Sequence, residues 1–148
     1  MSEVVNEFSI SLRQVREYEF LVKFDAESIA DLHTDETPPL GRNAGPSPTR
    51  MLAAAIGNCL SASLLFASRK SGVVISNLQT EARVQIVRGE NRRLRIGGIQ
   101  VTIDPRVSPE DLEKLKQPRG VFEDFCTVTQ SVIAGIAVEV KVKGIDGE

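Results

Sequence analysis

The stretch GPSPTRMLAAAIGNCLSASLLFASRKSG, residues 45–72, constrains this chain more than any other part of it. Ser47 is a suitable helix N-cap, and Pro48 occupies the first helical position, where its missing N–H costs nothing. Arg69 and Lys70 fall in the last turn, and Gly72 can end the helix in a left-handed conformation. The spacing therefore predicts one helix from Pro48 to Lys70, roughly 35 Å long at about 1.5 Å per residue. Apolar residues recur on every side between Met51 and Ala67, which predicts burial nearly all round. Gly57, Asn58, Ser61 and Ser63 interrupt that run and argue against a membrane span. Ala53, Ala54, Ala55, Gly57, Ser61, Ala62 and Ser63 are small, so another backbone is expected to approach closely, a second copy of the helix being a good candidate.

The remainder must supply the layers that cover such a helix. Phe8, Ile10 and Leu12 alternate with Ser9, Ser11 and Arg13. After a break at QVRE, Tyr18, Phe20, Val22 and Phe24 line one face, opposite Glu17, Glu19 and Lys23. Both patterns are those of half-buried antiparallel strands, and a shorter strand is expected over residues 28–33. TDETPPLGRNAGPSP, residues 34–48, is read as an ordered loop. Strands resume at LQTEARVQIVRG and RRLRIGGIQVTID as a hairpin turning at GEN, with a bulge expected at Gly97–Gly98. Ser108, Pro109 and Asp111 open a short helix, which Pro118 and Gly120 break. A second helix is expected from Val121 to Ile133, with Cys126 on its apolar stripe, and then an alternating strand through Ile136, Val138, Val140 and Val142. The class is α+β, with antiparallel sheets and one long buried helix. At 148 residues the chain reads as a single domain, 1–148, large enough to bury a core unaided.

Composition narrows the function classes. A net charge of -2 leaves no electrostatic footprint for nucleic acid or an anionic membrane. The basic cluster RGENRRLR, residues 88–95, has no interleaved aromatic to stack bases and reads as a solvated turn. The first residues show no basic segment followed by an apolar one, so no signal peptide is expected and a cytoplasmic location is. There, a cysteine pair is more often reduced, catalytic or redox-sensing than a lasting disulfide. Cys59 and Cys126 fit no metal-ligand spacing and His33 is the single histidine, so no metal site is expected. No titratable base lies beside Cys59 or Ser61 in the sequence, which disfavours a hydrolase. On pattern alone both cysteines are buried residues of apolar helical faces, and most such thiols are inert.

Two segments carry a further resemblance. PPLGRNAGPSPTRMLAAAIGNCL resembles the stretch around the first cysteine of the OsmC/Ohr family, the osmotically inducible and organic-hydroperoxide-resistance proteins. Pro48 and Cys59 match that family's spacing from helix-initiating proline to cysteine. FEDFCTVTQSVIAGIAVEV resembles the segment around its second cysteine, usually Cys-Pro-Val and here Cys126-Thr127-Val128. The order of elements matches over about residues 6–143. The resemblance implies an intertwined homodimer with active sites at the subunit interface. It implies a peroxidase that reduces organic hydroperoxides with two cysteines and no metal, haem or flavin. Carried over by position, Cys59 would attack the O–O bond to give a sulfenic acid, and Cys126 would resolve it to a disulfide. An external dithiol, such as a lipoyl group, would then reduce the pair.

A thiol must ionise to act, and apolar burial opposes this. Cys59 lies about three turns into its helix, beyond the reach of that helix's own dipole, so a charged partner is expected to activate it. The family uses an N-terminal arginine, positioned in the Ohr branch by a glutamate just after the helix-initiating proline. Here Thr49 and Arg50 follow Pro48, with no carboxylate, which points to the OsmC-like branch. Arg16 is the first candidate for the arginine, Arg42 the runner-up, and Arg13 stands behind them. An alternative function is a non-catalytic protein binding an apolar ligand in an interface pocket lined by Phe66, Phe122 and Phe125.

Overall fold

The computed structural model describes residues 2–146. The chain forms two compact units: one holds the chain up to Ala54 with Gln85–Gly98, the other Ala55–Val84 with the chain from Ile99 onward. The long helix α1 (Pro48–Lys70) and the hairpin of β4 (Gln79–Arg88) and β5 (Leu94–Asp104) contribute to both.

The first unit contains a three-stranded antiparallel sheet in the order β1 (Ser11–Arg16), β2 (Glu19–Lys23), β3 (Leu32–Thr34). Ser11 opposes Lys23 and Gln14 opposes Phe20, and the register then shifts between Gln14 and Arg16. The tight connection puts Glu17 at φ 49, and the Gln14 side-chain amide donates to its carbonyl at 2.9 Å. The proline-rich segment is ordered, as expected, because Asp35 acts as its nucleus. The Asp35 carboxylate accepts from the backbone N–H groups of Glu36 at 2.8 Å, Arg42 at 2.9 Å and Ala44 at 3.1 Å. These bonds, Arg42 first, hold its pKa below the ordinary carboxylate value despite burial. Side chains at Gly41 and Gly45 would collide with the Glu36 and His33 carbonyls, so only glycine fits there.

Helix α1 has the expected limits. Ser47 Oγ accepts from the Arg50 N–H at 3.3 Å, and Gly72 adopts φ 74. Its surroundings differ from the expectation. Only 33% of its most apolar window is buried. Ala53, Ile56, Leu60 and Leu64 form the covered stripe, whereas Ala54, Ala55, Ala62 and Phe66 are exposed. One chain supplies cover for a single face of this helix. Within the second unit, β4 explains two of the small residues. Gly57 Cα faces Thr80 and Ala82, where a Cβ would stand 3.6 Å from the Thr80 methyl, and Ser61 Oγ lies 2.6 Å from Thr80 Oγ1.

The rest of the second unit is a run of short turns: α2 (Pro109–Lys114), α3 (Lys116–Arg119), a 3₁₀ turn over Phe122–Phe125, and α4 (Thr127–Ala134). Ser108 caps α2 as its sequence predicts, accepting from the Asp111 N–H at 3.2 Å. The core here is Ile56, Leu60, Leu64, Val73, Leu115, Phe122 and Cys126, each large aliphatic or aromatic member contributing about 1.5–3 kcal/mol by burial.

Three expectations are corrected here. The helix expected over Val121–Ile133 is broken at Cys126, which is extended (φ -84, ψ 98) and forms the N-cap of α4. The strand expected at Ile136–Val142 is absent among the described residues, and Ile136, Val138 and Val140 are exposed. Their alternation is real, but a strand also needs a neighbour to pair with, and the described chain offers none there. The first strand likewise begins at Ser11, leaving Phe8 and Ile10 exposed outside it.

Candidate active site

The break at Cys126 creates the site. Because Cys126 precedes the first turn of α4, its side chain lies beside the N–H groups that no helical carbonyl can satisfy. Its Sγ donates to Thr129 Oγ1 at 3.0 Å and makes no cap bond to the helix, and Ser63 of α1 lies beside it. Cys59, carried by α1, neighbours the same helix end, close enough to the Val128 and Thr129 N–H groups and to the Cys126 thiol to feel all three. Residues far apart in sequence are thus brought together, both reduced, Cys59 partly buried and Cys126 0% exposed.

The electrostatics of the two sulfurs diverge. Burial raises the Cys59 thiol above its ordinary value, and the hydrogen bond to Cys126 adds to this, while the α4 N–H groups only partly offset them. Burial also opposes ionisation of Cys126, but the hydrogen bonds from Cys59, Thr129 and Ser63 together outweigh it and bring this thiol below its ordinary value. The dipole that acts on Cys59 belongs to α4 rather than to the helix that carries it. The sequence signal for such a cap would have been a proline at position 127, the first helical position; Thr127 conceals it.

Arg16 and Arg42 also come together, in the first unit, on a residue that the strand pattern assigned to solvent. Glu19 is only 3% exposed. Its carboxylate accepts from Arg16 Nε at 3.1 Å, His33 Nε2 at 3.0 Å and a very close Arg42 guanidinium. These partners, Arg42 foremost, pull its pKa down to about 2. Arg13 is exposed on β1.

Of the three candidate pocket residues, Phe122 is buried and lines a cavity of about 430 Å³ in the second unit, with Leu60, Leu64, Val101, Ile103 and Leu115. Phe66 and Phe125 are 61% and 70% exposed and do not line it. Lys116, Arg119 and Glu123 border the cavity, and the last two form an ion pair at 2.9 Å. Among the described residues no group of His, Cys, Asp and Glu side chains could hold a metal ion.

Fold and site together define an α+β protein with a paired-thiol centre, and the comparisons agree with the fold. Residues 41–141 match the family model described as OsmC-like protein, and the chain belongs to this family. An OsmC-like protein of unknown function from Vibrio cholerae matches with a TM-score of 0.66 at 15% identity, over 86% of this chain and 94% of that one. The organic hydroperoxide resistance protein OhrB of Bacillus subtilis matches with a TM-score of 0.61 at 17% identity, over 87% and 92%. An organic hydroperoxide resistance protein from Elizabethkingia anophelis gives 0.62 at 16% identity, over 88% and 91%. At these identities the likeness is one of fold. No curated protein matches the sequence.

Proposed function

We propose that this chain is a thiol-dependent peroxidase that reduces organic hydroperoxides through Cys59 and Cys126. The observation that carries the reading is the meeting of the two thiols over one helix end, where a sulfenic acid on either would have the other as its nearest nucleophile. Cys59 is the attacking thiol, since it is the less buried of the two. Cys126 closes the disulfide, and an external dithiol, such as a lipoyl group, returns both to the reduced state in a reducing compartment such as the cytoplasm. Arg16 or Arg42 enters this reading as the family's cation, each already engaged by Glu19.

The working form in this reading is a homodimer. The exposed face of α1, the unpaired Ile136–Val142 segment and the exposed Phe8 and Leu12 are apolar surface that a second copy would cover. Size-exclusion chromatography with light scattering tests this, and a monomer at micromolar concentration would refute it.

Intact mass after one equivalent of cumene hydroperoxide tests the chemistry. Wild type is expected to lose two hydrogens, and Cys126→Ser to gain one oxygen. Unchanged masses in both would refute the peroxidase. The cavity in the second unit favours one other reading, a binding protein for an apolar ligand. That reading predicts saturable binding of an apolar fluorescent probe, weakened by Leu64→Trp, with no peroxide consumed.

A further inference from the structure

The cavity of about 430 Å³ lies wholly within the second unit and is built of two kinds of surface. Its inner wall is aliphatic: Leu60 and Leu64 of α1, Val101 and Ile103 of β5, and Leu115, all buried or half-buried. Leu60 and Leu64 belong to the covered stripe of α1, so the cavity is on the opposite side of that helix from the exposed Ala54, Ala55 and Ala62 that await a second copy. Its volume falls within the roughly 300–1,000 Å³ of small-molecule sites. Among the described residues no buried side-chain nitrogen or oxygen lacks a hydrogen-bond partner, so no buried polar side chain calls for water in the cavity. Such a wall suits a hydrocarbon chain.

The rim is charged. Lys116 and Arg119 of α3 border the cavity together with Glu123, two cations to one carboxylate. Phe122 joins rim to wall: it is buried, it lines the cavity, and its ring centre is 5.6 Å from the Arg119 guanidinium carbon. A cation is thus stationed on the same ring that a hydrocarbon chain would lie against. The group Arg119 already holds is a carboxylate, that of Glu123 at 2.9 Å, and Lys116 holds that of Glu113 at 2.7 Å. All four side chains are exposed. Ion pairs of this kind are weak, so a carboxylate that also buries a chain can take the place of Glu123. We propose that the cavity binds an amphipathic carboxylate, an aliphatic chain ending in an acid, with the chain against the inner wall and the acid on Arg119 and Lys116. A neutral head group would leave Arg119 with Glu123 and gain nothing from it, and a cationic one would be repelled. The inference rests on the ligand-binding reading above, to which it adds the head group. Neither cysteine lines the cavity, so it holds whether or not the thiols consume peroxide.

The test is isothermal titration of the full chain with three ligands of equal chain length: decanoate, decanol and decyltrimethylammonium. Wild type is expected to bind decanoate about tenfold more tightly than decanol, the scale of one charge-assisted hydrogen bond, and decyltrimethylammonium more weakly than either. Arg119→Gln, a change at an exposed side chain that leaves the fold alone, is expected to bring decanoate down to the affinity of decanol, with Arg119→Lys restoring part of the difference. Glu123→Gln removes the competing carboxylate and is expected to tighten decanoate while leaving decanol where it was. Leu64→Trp fills the inner wall and is expected to abolish binding of both, with circular dichroism confirming that the variant folds. Equal affinities for decanoate and decanol in wild type, or an unchanged preference for decanoate in Arg119→Gln, overturn the inference and leave the apolar-ligand reading standing. Decanoate bound as tightly by folded Leu64→Trp as by wild type overturns it by placing the ligand elsewhere. No saturable binding of any of the three overturns both the inference and the ligand-binding reading.

Discussion

Glu19 and Cys126 are both buried acids with polar neighbours, and they are solved in opposite ways. Glu19 is surrounded by two arginines and a histidine, and its pKa falls to about 2. Cys126 is more deeply buried and has only neutral neighbours, the Thr129 and Ser63 hydroxyls and another thiol. Formal counter-charges fix an ionisation state far from any working pH, which makes Glu19 a structural tie between β1, β2, β3 and the loop that carries Arg42. Neutral donors lower the cost of a charge without fixing it, so a proton can still be exchanged at Cys126. The first arrangement suits architecture and the second suits chemistry.

The largest break in that contrast is expected from Glu19→Gln, which leaves cations facing a neutral amide in a site built for a carboxylate. We expect it to lower the melting temperature more than either Leu60→Ala or Ser63→Ala, measured by circular dichroism. The pH dependence gives the sign. Glu19 is depressed in the folded state from 4.5 to about 2, so its contribution is fully present above the unfolded value and disappears as pH falls through the folded one. The gap between wild type and Glu19→Gln should therefore be full at pH 6 and close as pH falls from about 4.5 to about 2. A gap independent of pH across that window would remove charge from the explanation.

The second prediction concerns the apolar frame beneath the thiols. Leu60, the neighbour of Cys59 on α1, is buried against the second unit's core. Leu60→Ala should cost about 2–4 kcal/mol in urea-induced unfolding, with the low end favoured because the residue already borders a cavity. Its effect should be independent of pH between 4 and 7, in contrast to Glu19→Gln.

The contrast also explains which parts were legible in the sequence. Helix α1 is bounded by local chemistry, Ser47 and Pro48 at one end and Gly72 at the other, and its limits could be read directly. The cap of α2 at Ser108 is equally local. Glu19 was hidden because alternation along β2 reports only the pleat, and the groups that bury it arrive from β1, β3 and a distant loop. Cys126 was hidden because the apolar stripe on both sides of it continues in helical register while the backbone between them is extended. The strand at Ile136–Val142 was legible as a pattern, but pairing is a property of two segments and the described residues supply no second one there. Both cysteines were found as chemistry-bearing residues, yet their common partner, the N-terminus of α4, depended on the break at Cys126.

The smallest effect on stability should come from Ser63→Ala, and it sharpens the comparison most. Ser63 is partly buried on α1, one turn beyond Cys59, and its hydroxyl is a neutral neighbour that lowers the Cys126 pKa. Removing it should cost no more than about 1 kcal/mol, the net worth of one neutral hydrogen bond, and alanine preserves the helix. Yet it deletes a donor that a thiolate needs and a thiol does not, so ionisation of Cys126 should move to higher pH, read by absorbance near 240 nm. The sign for stability follows from linkage: a thiol whose folded pKa lies below its unfolded value adds stability as pH rises past the folded value. Wild type should therefore gain more than Ser63→Ala as pH is raised from neutral toward the ordinary cysteine value. At Glu19 a single substitution disturbs the fold and leaves no titration to follow; at Cys126 it should leave the fold and move the titration. Equal stability gains in both proteins, with an unmoved absorbance step, would show that the Ser63 hydroxyl contributes packing alone.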